Sequence, residues 1–223
     1  MNQAPRGGGF RGLHVLADDD ARWGRDPVEQ ARAACEARVA VVQLRCKYAT
    51  DRQTLAWARE IRALTRTEGV GFVVNDRFDL ALLAEADGVH LGQDDLPPAS
   101  LPEAARSRLA VGRSTHTLEQ ARRACEEPVD YVAFGPVFGT RSKESGYSAR
   151  GLAALEQVAR IVAPLPLVAI GGIERSQLAA VAKAGASAAA LISAVAGDPD
   201  PAAAARALCD EWRRATCTVE VAP

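Results

Sequence analysis

Gln43, Arg45 and Lys47 occupy alternate positions of the run Val-Gln-Leu-Arg-Cys-Lys. A β-strand turns alternate side chains to one face, so an amide and two cations would point the same way. That set suits a diphosphate, because charge-assisted hydrogen bonds to phosphate are strong and a guanidinium grips two oxygens at once. It equally suits a solvated strand end with weak surface ion pairs. Asn75, Asp76 and Asp95 offer oxygen ligands on two neighbouring loops. Mg²⁺ takes few carboxylates, keeps some waters and fills its shell with substrate phosphate. The alternative is that Asp76 caps a helix while Asp94 and Asp95 are plain loop acids.

A second group of residues suits a monophosphate. Gly171-Gly172-Ile173 and Ile192-Ser193 each follow a short apolar run. Glycine lets backbone N–H groups come close to an anion, although a Gly-Gly pair also makes an ordinary tight turn. Between residues 136 and 149 lies a long polar stretch with Thr140, Ser142 and Lys143. Two hydroxyls and an ammonium can hold an anion and close over it; a surface loop has the same composition. Ser114, Thr115 and His116 end another apolar run, and Gln93 sits beside Asp94.

Other residues draw a plainer reading. His14, His90 and His116 are too scattered for a metal triad, and His90 reads as a satisfied core residue. The run Asp18-Asp19-Asp20 reads as a solvated turn rather than a metal site. Cys46 lies between two cations that would lower its pKa, but alternation points it away from them, as a structural residue. Trp23, Trp57 and Trp212 share no stripe and read as packing residues.

These residues need a scaffold that gathers loop ends. Short β-rich runs at 13–18, 39–45, 71–75, 88–92, 110–114, 131–135, 166–170 and 188–192 read as eight strands. Helical stretches separate them at 27–35, 51–68, around Leu82 and Leu83, after Pro97-Pro98, and at 118–125, 152–162, 176–184 and 201–214. Parallel strands need such crossovers, and eight units can close without a free edge. The expectation is a single (β/α)₈ TIM barrel, whose active site forms at the C-terminal ends of the strands. A doubly wound open sheet would predict a glycine-rich loop after the first strand, and Ala17-Asp18-Asp19-Asp20 has none. The barrel is expected to span 12–214. Residues 1–11 are expected as a flexible Gly/Arg-rich N-terminal tail without the apolar segment of a secretory signal, and 215–223 as a C-terminal tail.

The bulk numbers agree. The 223 residues fit one barrel, which runs to about 250 residues and can be nearer 200. With 27 basic and 28 acidic residues, the net charge of −1 gives no sign of a nucleic-acid or membrane partner. Five cysteines, an odd number without CxxC spacing, argue against a disulfide framework or zinc and for a reducing, cytoplasmic setting. No apolar run reaches the ~18 residues of a membrane span. Small-molecule partners are expected. An oligomer is left open.

Seven strings in order, from about residue 12 to 214, resemble the thiamine-phosphate synthase family. They are 42–47, Val-Asn-Asp-Arg-Phe-Asp-Leu-Ala at 74–81, Gly-Val-His-Leu-Gly-Gln-Asp-Asp-Leu at 88–96, Gly-Arg-Ser-Thr-His-Thr at 112–117, Gly-Pro-Val-Phe-Gly-Thr-Arg-Ser-Lys at 135–143, Ile-Gly-Gly-Ile at 170–173 and Ile-Ser-Ala at 192–194. The resemblance implies a Mg²⁺-dependent transferase. It would join 4-amino-2-methyl-5-hydroxymethylpyrimidine diphosphate to a thiazole phosphate, or its carboxylated form, releasing pyrophosphate by a dissociative route. It implies that Gln43, Arg45, Lys47 and Asn75 contact the pyrimidine diphosphate and that Asp76 and Asp95 hold Mg²⁺. Ser114 and Lys143 would bind the diphosphate and stabilise it on leaving. Thr140 and Ser142 would contact the thiazole phosphate, with Gly172, Ile192 and Ser193 holding its phosphate largely through backbone N–H groups. Departures from the family pattern are Ser142 for a common Thr, Gly139 for a common Pro and Cys46 for a residue that is often acidic.

Two other functions share much of this pattern. A paralogous thiazole tautomerase would keep the phosphate loops without needing the diphosphate and metal residues. Its loop after strand six would read Gly-His where this chain has Gly135-Pro136. A non-catalytic sensor of thiamine precursors would keep the ligand set and lack turnover.

Overall fold

The computed structural model describes residues 9–139 and 147–220. Eight parallel strands close in sequence order: β1 (Gly12–Asp18), β2 (Val41–Arg45), β3 (Gly71–Asn75), β4 (Gly88–Leu91), β5 (Ala110–Thr115), β6 (Tyr131–Phe134), β7 (Leu167–Ile170) and β8 (Ala188–Leu191). The ring closes where β8 pairs with β1, Gly12 opposite Ala188. This is the expected TIM barrel.

The helices are α1 (Pro27–Glu36), α2 (Asp51–Glu68), α3 (Phe78–Leu83), α4 (Glu103–Arg106), α5 (Leu118–Ala124), α6 (Gly151–Val162), α7 (Leu178–Lys183), α8 (Ser193–Ala196) and α9 (Pro201–Glu220). Local chemistry sets several of their starts. Asp26 and Glu29 form a reciprocal capping box at α1, with Pro27 in the first turn. Thr50 and Thr117 cap α2 and α5. After the Pro97-Pro98 pair, the weak helix expected from sequence divides into a 3₁₀ turn (Pro98–Ser100) and α4.

Strand alternation sorts side chains into two layers. Val15, Val42, Val74, Val89 and Leu191 face the helices and form the larger core. Leu16, Val41, Val73, Tyr131, Val168 and Ala190 face inward and fill the lumen. The two-residue period carries on up each strand, so Asp18, Gln43 and Arg45 continue the inward rows toward the C-terminal mouth.

Two sequence expectations need correction at their edges, and one element is new. Phe10, expected in a loose tail, is buried beneath the barrel and stacks on Tyr131 with centroids 4.7 Å apart. The lumen needs a bottom closure, and an aromatic ring supplies it. At the other end, α9 runs through Glu220 instead of ending at 214. Leu208, Trp212 and Ala215 keep an apolar stripe at helical spacing against the core, and this holds the extra turns. A short helix, α8, stands between β8 and α9 with no counterpart in the sequence reading.

Candidate active site

The C-terminal mouth gathers most of the predicted polar residues. Gln43 is buried in the lumen and Arg45 is partly covered at the end of β2. Lys47 stands beyond the strand, where its Nζ contacts Asp76 Oδ2 at 2.5 Å. Asp76 follows β3 with a φ of +65°, a region that Asp and Asn enter more readily than other non-glycine residues. Its backbone N–H donates to the His90 carbonyl at 2.8 Å, which ties the β3 loop to β4. Asn75 pairs with His90 in the sheet register and is half-buried.

Asp95 folds back over the end of β4. The Gly92 N–H donates to its Oδ2 at 2.6 Å, and Arg113 Nη1 donates to the Gly92 carbonyl at 2.5 Å. Burial raises Asp95 above the usual carboxylate range; the Gly92 N–H opposes this, and the nearby Asp76 carboxylate adds to the rise. Two carboxylates that repel each other in a partly covered site are a setting a cation relieves. Among the described residues no group of three or more His, Cys, Asp or Glu side chains could hold a metal. Asp76 and Asp95 together offer two carboxylates, a donor set of the kind a hard cation can share with phosphate and water.

Ser114 ends the inward row of β5. His90 Nε2 lies 2.7 Å from its Oγ, and His90 Nδ1 lies 3.0 Å from the Tyr131 hydroxyl. His90 is buried as the sequence suggested, but it also supports a candidate site residue from below. The chain of groups requires a gap at position 112: a Cβ on Gly112 would meet Tyr131 Cζ at 2.1 Å. Gln93 reaches over from β4 to donate to the Ser114 carbonyl at 2.5 Å. His116 Nδ1 lies 2.7 Å from the Gly135 carbonyl, and its ring stacks on Tyr147 at 4.2 Å.

The loops after β6 and β7 are stitched together. Val137 N–H donates to the Ile170 carbonyl and Phe138 N–H to the Gly171 carbonyl, both at 2.9 Å. Gly172 has a φ of +60°, and a Cβ there would lie 2.2 Å from the Gly139 oxygen. Only glycine allows this approach. Ile192 is buried at the head of α8 with no side-chain cap, and Ser193 opens the helix with its side chain exposed. Thr140, Ser142 and Lys143 lie outside the described residues.

The acidic run that begins at the last residue of β1 is the main correction to the sequence reading. Asp18 is not a solvated turn residue: it is 1% exposed and pairs with Arg45. Asp19 accepts three backbone N–H groups, from Lys47, Tyr48 and Ala49, and so shapes the loop that carries Lys47. Asp20 caps a 3₁₀ turn (Ala21–Trp23). Trp23 packs on the lumen cluster and donates to Asp18. Cys46 behaves as expected. It faces the helices, and burial, helped by the nearby Asp19 and Asp18 carboxylates, pushes its thiol up to about 12.

The family model described as thiamine monophosphate synthase matches residues 13–195. The chain belongs to that family. A thiamine-phosphate synthase of Anaeromyxobacter dehalogenans is 51% identical over 197 residues, covering 87% of this chain and 84% of the relative. One from Methanoculleus marisnigri is 43% identical over 198 residues, covering 89% and 93%. Among solved structures, a thiamine phosphate pyrophosphorylase from Pyrococcus furiosus superposes with a TM-score of 0.81 at 34% identity, covering 92% of this chain and 96% of that one. Family membership makes this chain a biosynthetic enzyme of the transferase class. Among the described residues no helix is long and apolar enough to cross a membrane.

Proposed function

We propose that the chain couples 4-amino-2-methyl-5-hydroxymethylpyrimidine diphosphate to a thiazole phosphate, or its carboxylated form, giving thiamine phosphate and pyrophosphate. The observation that carries this reading is the meeting of Arg45, Lys47, Asp76, Asp95 and Ser114 at one barrel mouth, opposite the glycine loop of β7 and the head of α8. The names of the relatives support the same reaction.

The chemistry asks little of a nucleophile. An aminopyrimidine ring pushes electrons toward its exocyclic CH₂ as the diphosphate departs, and the thiazole nitrogen captures the resulting cation. The protein must orient two partners and steady departing negative charge. Gln43 and Asn75 would hold the pyrimidine substrate, with Arg45 and Lys47 on its diphosphate. Ser114, oriented by His90, would donate to a leaving oxygen, and Lys143 would add a third cationic side chain. Gly172, Ile192 and Ser193 would bind the thiazole phosphate through backbone N–H groups, with Thr140 and Ser142 beside it. Asp76 and Asp95 would hold Mg²⁺, which neutralises the leaving diphosphate when bound.

Gly135-Pro136 after β6 carries no histidine of the kind a tautomerase would use there. The test is an assay of purified protein with both precursors, following pyrophosphate and thiamine phosphate together. Product is expected with Mg²⁺ and lost on chelation. Tight binding of both precursors without product at any Mg²⁺ concentration would overturn the reading in favour of a sensor.

A further inference from the structure

Asp18 is the last residue of β1 and sits opposite Arg45 in the strand register. Its Oδ2 accepts from Arg45 Nη1 at 2.5 Å. Its Oδ1 accepts from the Trp23 indole N–H and the Asp20 backbone N–H, each at 3.0 Å. Its backbone is held as firmly. Gln30, wholly buried in α1, receives the Asp18 N–H at 3.0 Å and donates to the Asp18 carbonyl at 2.8 Å. The Asp19 N–H then donates to the Arg45 carbonyl at 3.1 Å. Both carboxylate oxygens are occupied, and both backbone groups are fixed to a helix.

A buried carboxylate this well anchored costs desolvation, and a buried ion pair contributes little net stability against an apolar pair of the same shape. Its value must lie in what it arranges. Arg45 has one short contact to Asp18 and keeps further N–H groups on the planar fork. Held at one nitrogen, a guanidinium loses less conformational freedom when an anion arrives, so each new hydrogen bond contributes more to binding. We infer that Asp18 is a positioning residue for the pyrimidine diphosphate: it holds the Arg45 guanidinium at Nη1 and turns the remaining donors toward the diphosphate, while Trp23 locks the carboxylate. The inference rests on the assignment of Arg45 to that diphosphate.

The two claims separate in a double-mutant cycle on steady-state kinetics, with Asp18→Asn, Arg45→Ala and the combined variant. Asp18→Asn keeps the shape and an acceptor for the indole. It should raise KM for the pyrimidine diphosphate roughly tenfold, the low end for a hydrogen bond to a charged group. KM for the thiazole phosphate should stay within about twofold, because Asp18 faces the other subsite. In the Arg45→Ala background, Asp18→Asn should add nothing. Trp23→Phe, which keeps the ring and removes the N–H, should raise the same KM by about threefold and serves if Asp18→Asn fails to fold. Equal losses from Asp18→Asn with and without Arg45, or a rise in both KM values together, would overturn the positioning role. If Arg45→Ala is damaging but neither Asp18→Asn nor Trp23→Phe moves KM, positioning fails and the site assignment stands. If Arg45→Ala itself leaves the pyrimidine KM unchanged, the assignment of Arg45 fails and takes the inference with it.

Discussion

The two ends of the barrel lumen handle polar groups in opposite ways. At the bottom, Phe10 seals a cluster in which Tyr131 meets both His14 and His90, and His14 meets the Phe10 carbonyl. Burial there pushes His14 down to about 4 and Tyr131 well above its ordinary range, so both stay uncharged. At the top, charges stay in contact: Asp18 is buried against a largely covered Arg45, and Lys47 meets Asp76 where solvent reaches both. One face of the same eight strands thus supports two regimes. The closed end uses polarity for order, and the open end keeps charged groups, which the proposed function assigns to an anionic substrate.

If that division holds, changes at the two ends should separate stability from turnover. Phe10→Ala removes the plug and should cost about 4 kcal/mol in urea unfolding, the range for a fully buried aromatic. Turnover per folded molecule should stay near the parent value; a collapse of kcat with intact folding would place the bottom in the catalytic machinery. Asp76→Asn should do the reverse. It tolerates the left-handed backbone, breaks only a half-exposed ion pair, and should shift the melting temperature little. Turnover should fall about a hundredfold through loss of an anionic ligand. An unchanged rate would remove Asp76 from the site.

Acid should find the bottom first. His14 in the folded chain takes up a proton only near pH 4, whereas in the unfolded chain it does so near 6.5. Between those values the unfolded state binds more protons, so stability falls as pH drops through the window. The loss due to this group should reach roughly 2 kcal/mol at pH 5. Urea midpoints at pH 7 and pH 5 for the parent and for His14→Gln measure it, and parallel losses in the two proteins would assign the acid sensitivity elsewhere. The smallest expected effect is at Cys46. Although it lies between Arg45 and Lys47, Cys46→Ala should leave turnover within about twofold, because a thiol held out of its thiolate form carries no charge to contribute. A large drop in rate would mean that its side chain turns toward the mouth.

Much of the barrel was legible without coordinates. The two-residue period predicted that Gln43 and Arg45 share one face of their strand, and the alternation of strands and helices predicted a parallel closed sheet. The strand-end rule gathered Arg45, Lys47, Asp76, Asp95 and Ser114 within a wider set of polar residues, and the family resemblance picked them out of it. These are local properties, since a residue's place along its own strand decides which face and which end it occupies.

What only the tertiary structure decided depends on neighbours far away in the chain. Asp18, Asp19 and Asp20 look alike in sequence, yet one is buried against Arg45, one gathers the Lys47 loop and one caps a turn. That sorting needs the β1–β2 register and the covering Trp23. His90 shows only as a core histidine until the closed barrel brings Ser114 and Tyr131 to its two nitrogens across a gap that Gly112 leaves open. Phe10 reads as a loose end until there is a lumen to seal. Periodicity along a strand is written in consecutive residues; the partner of a buried charge is set by closure of the whole ring, which no single stretch of sequence contains.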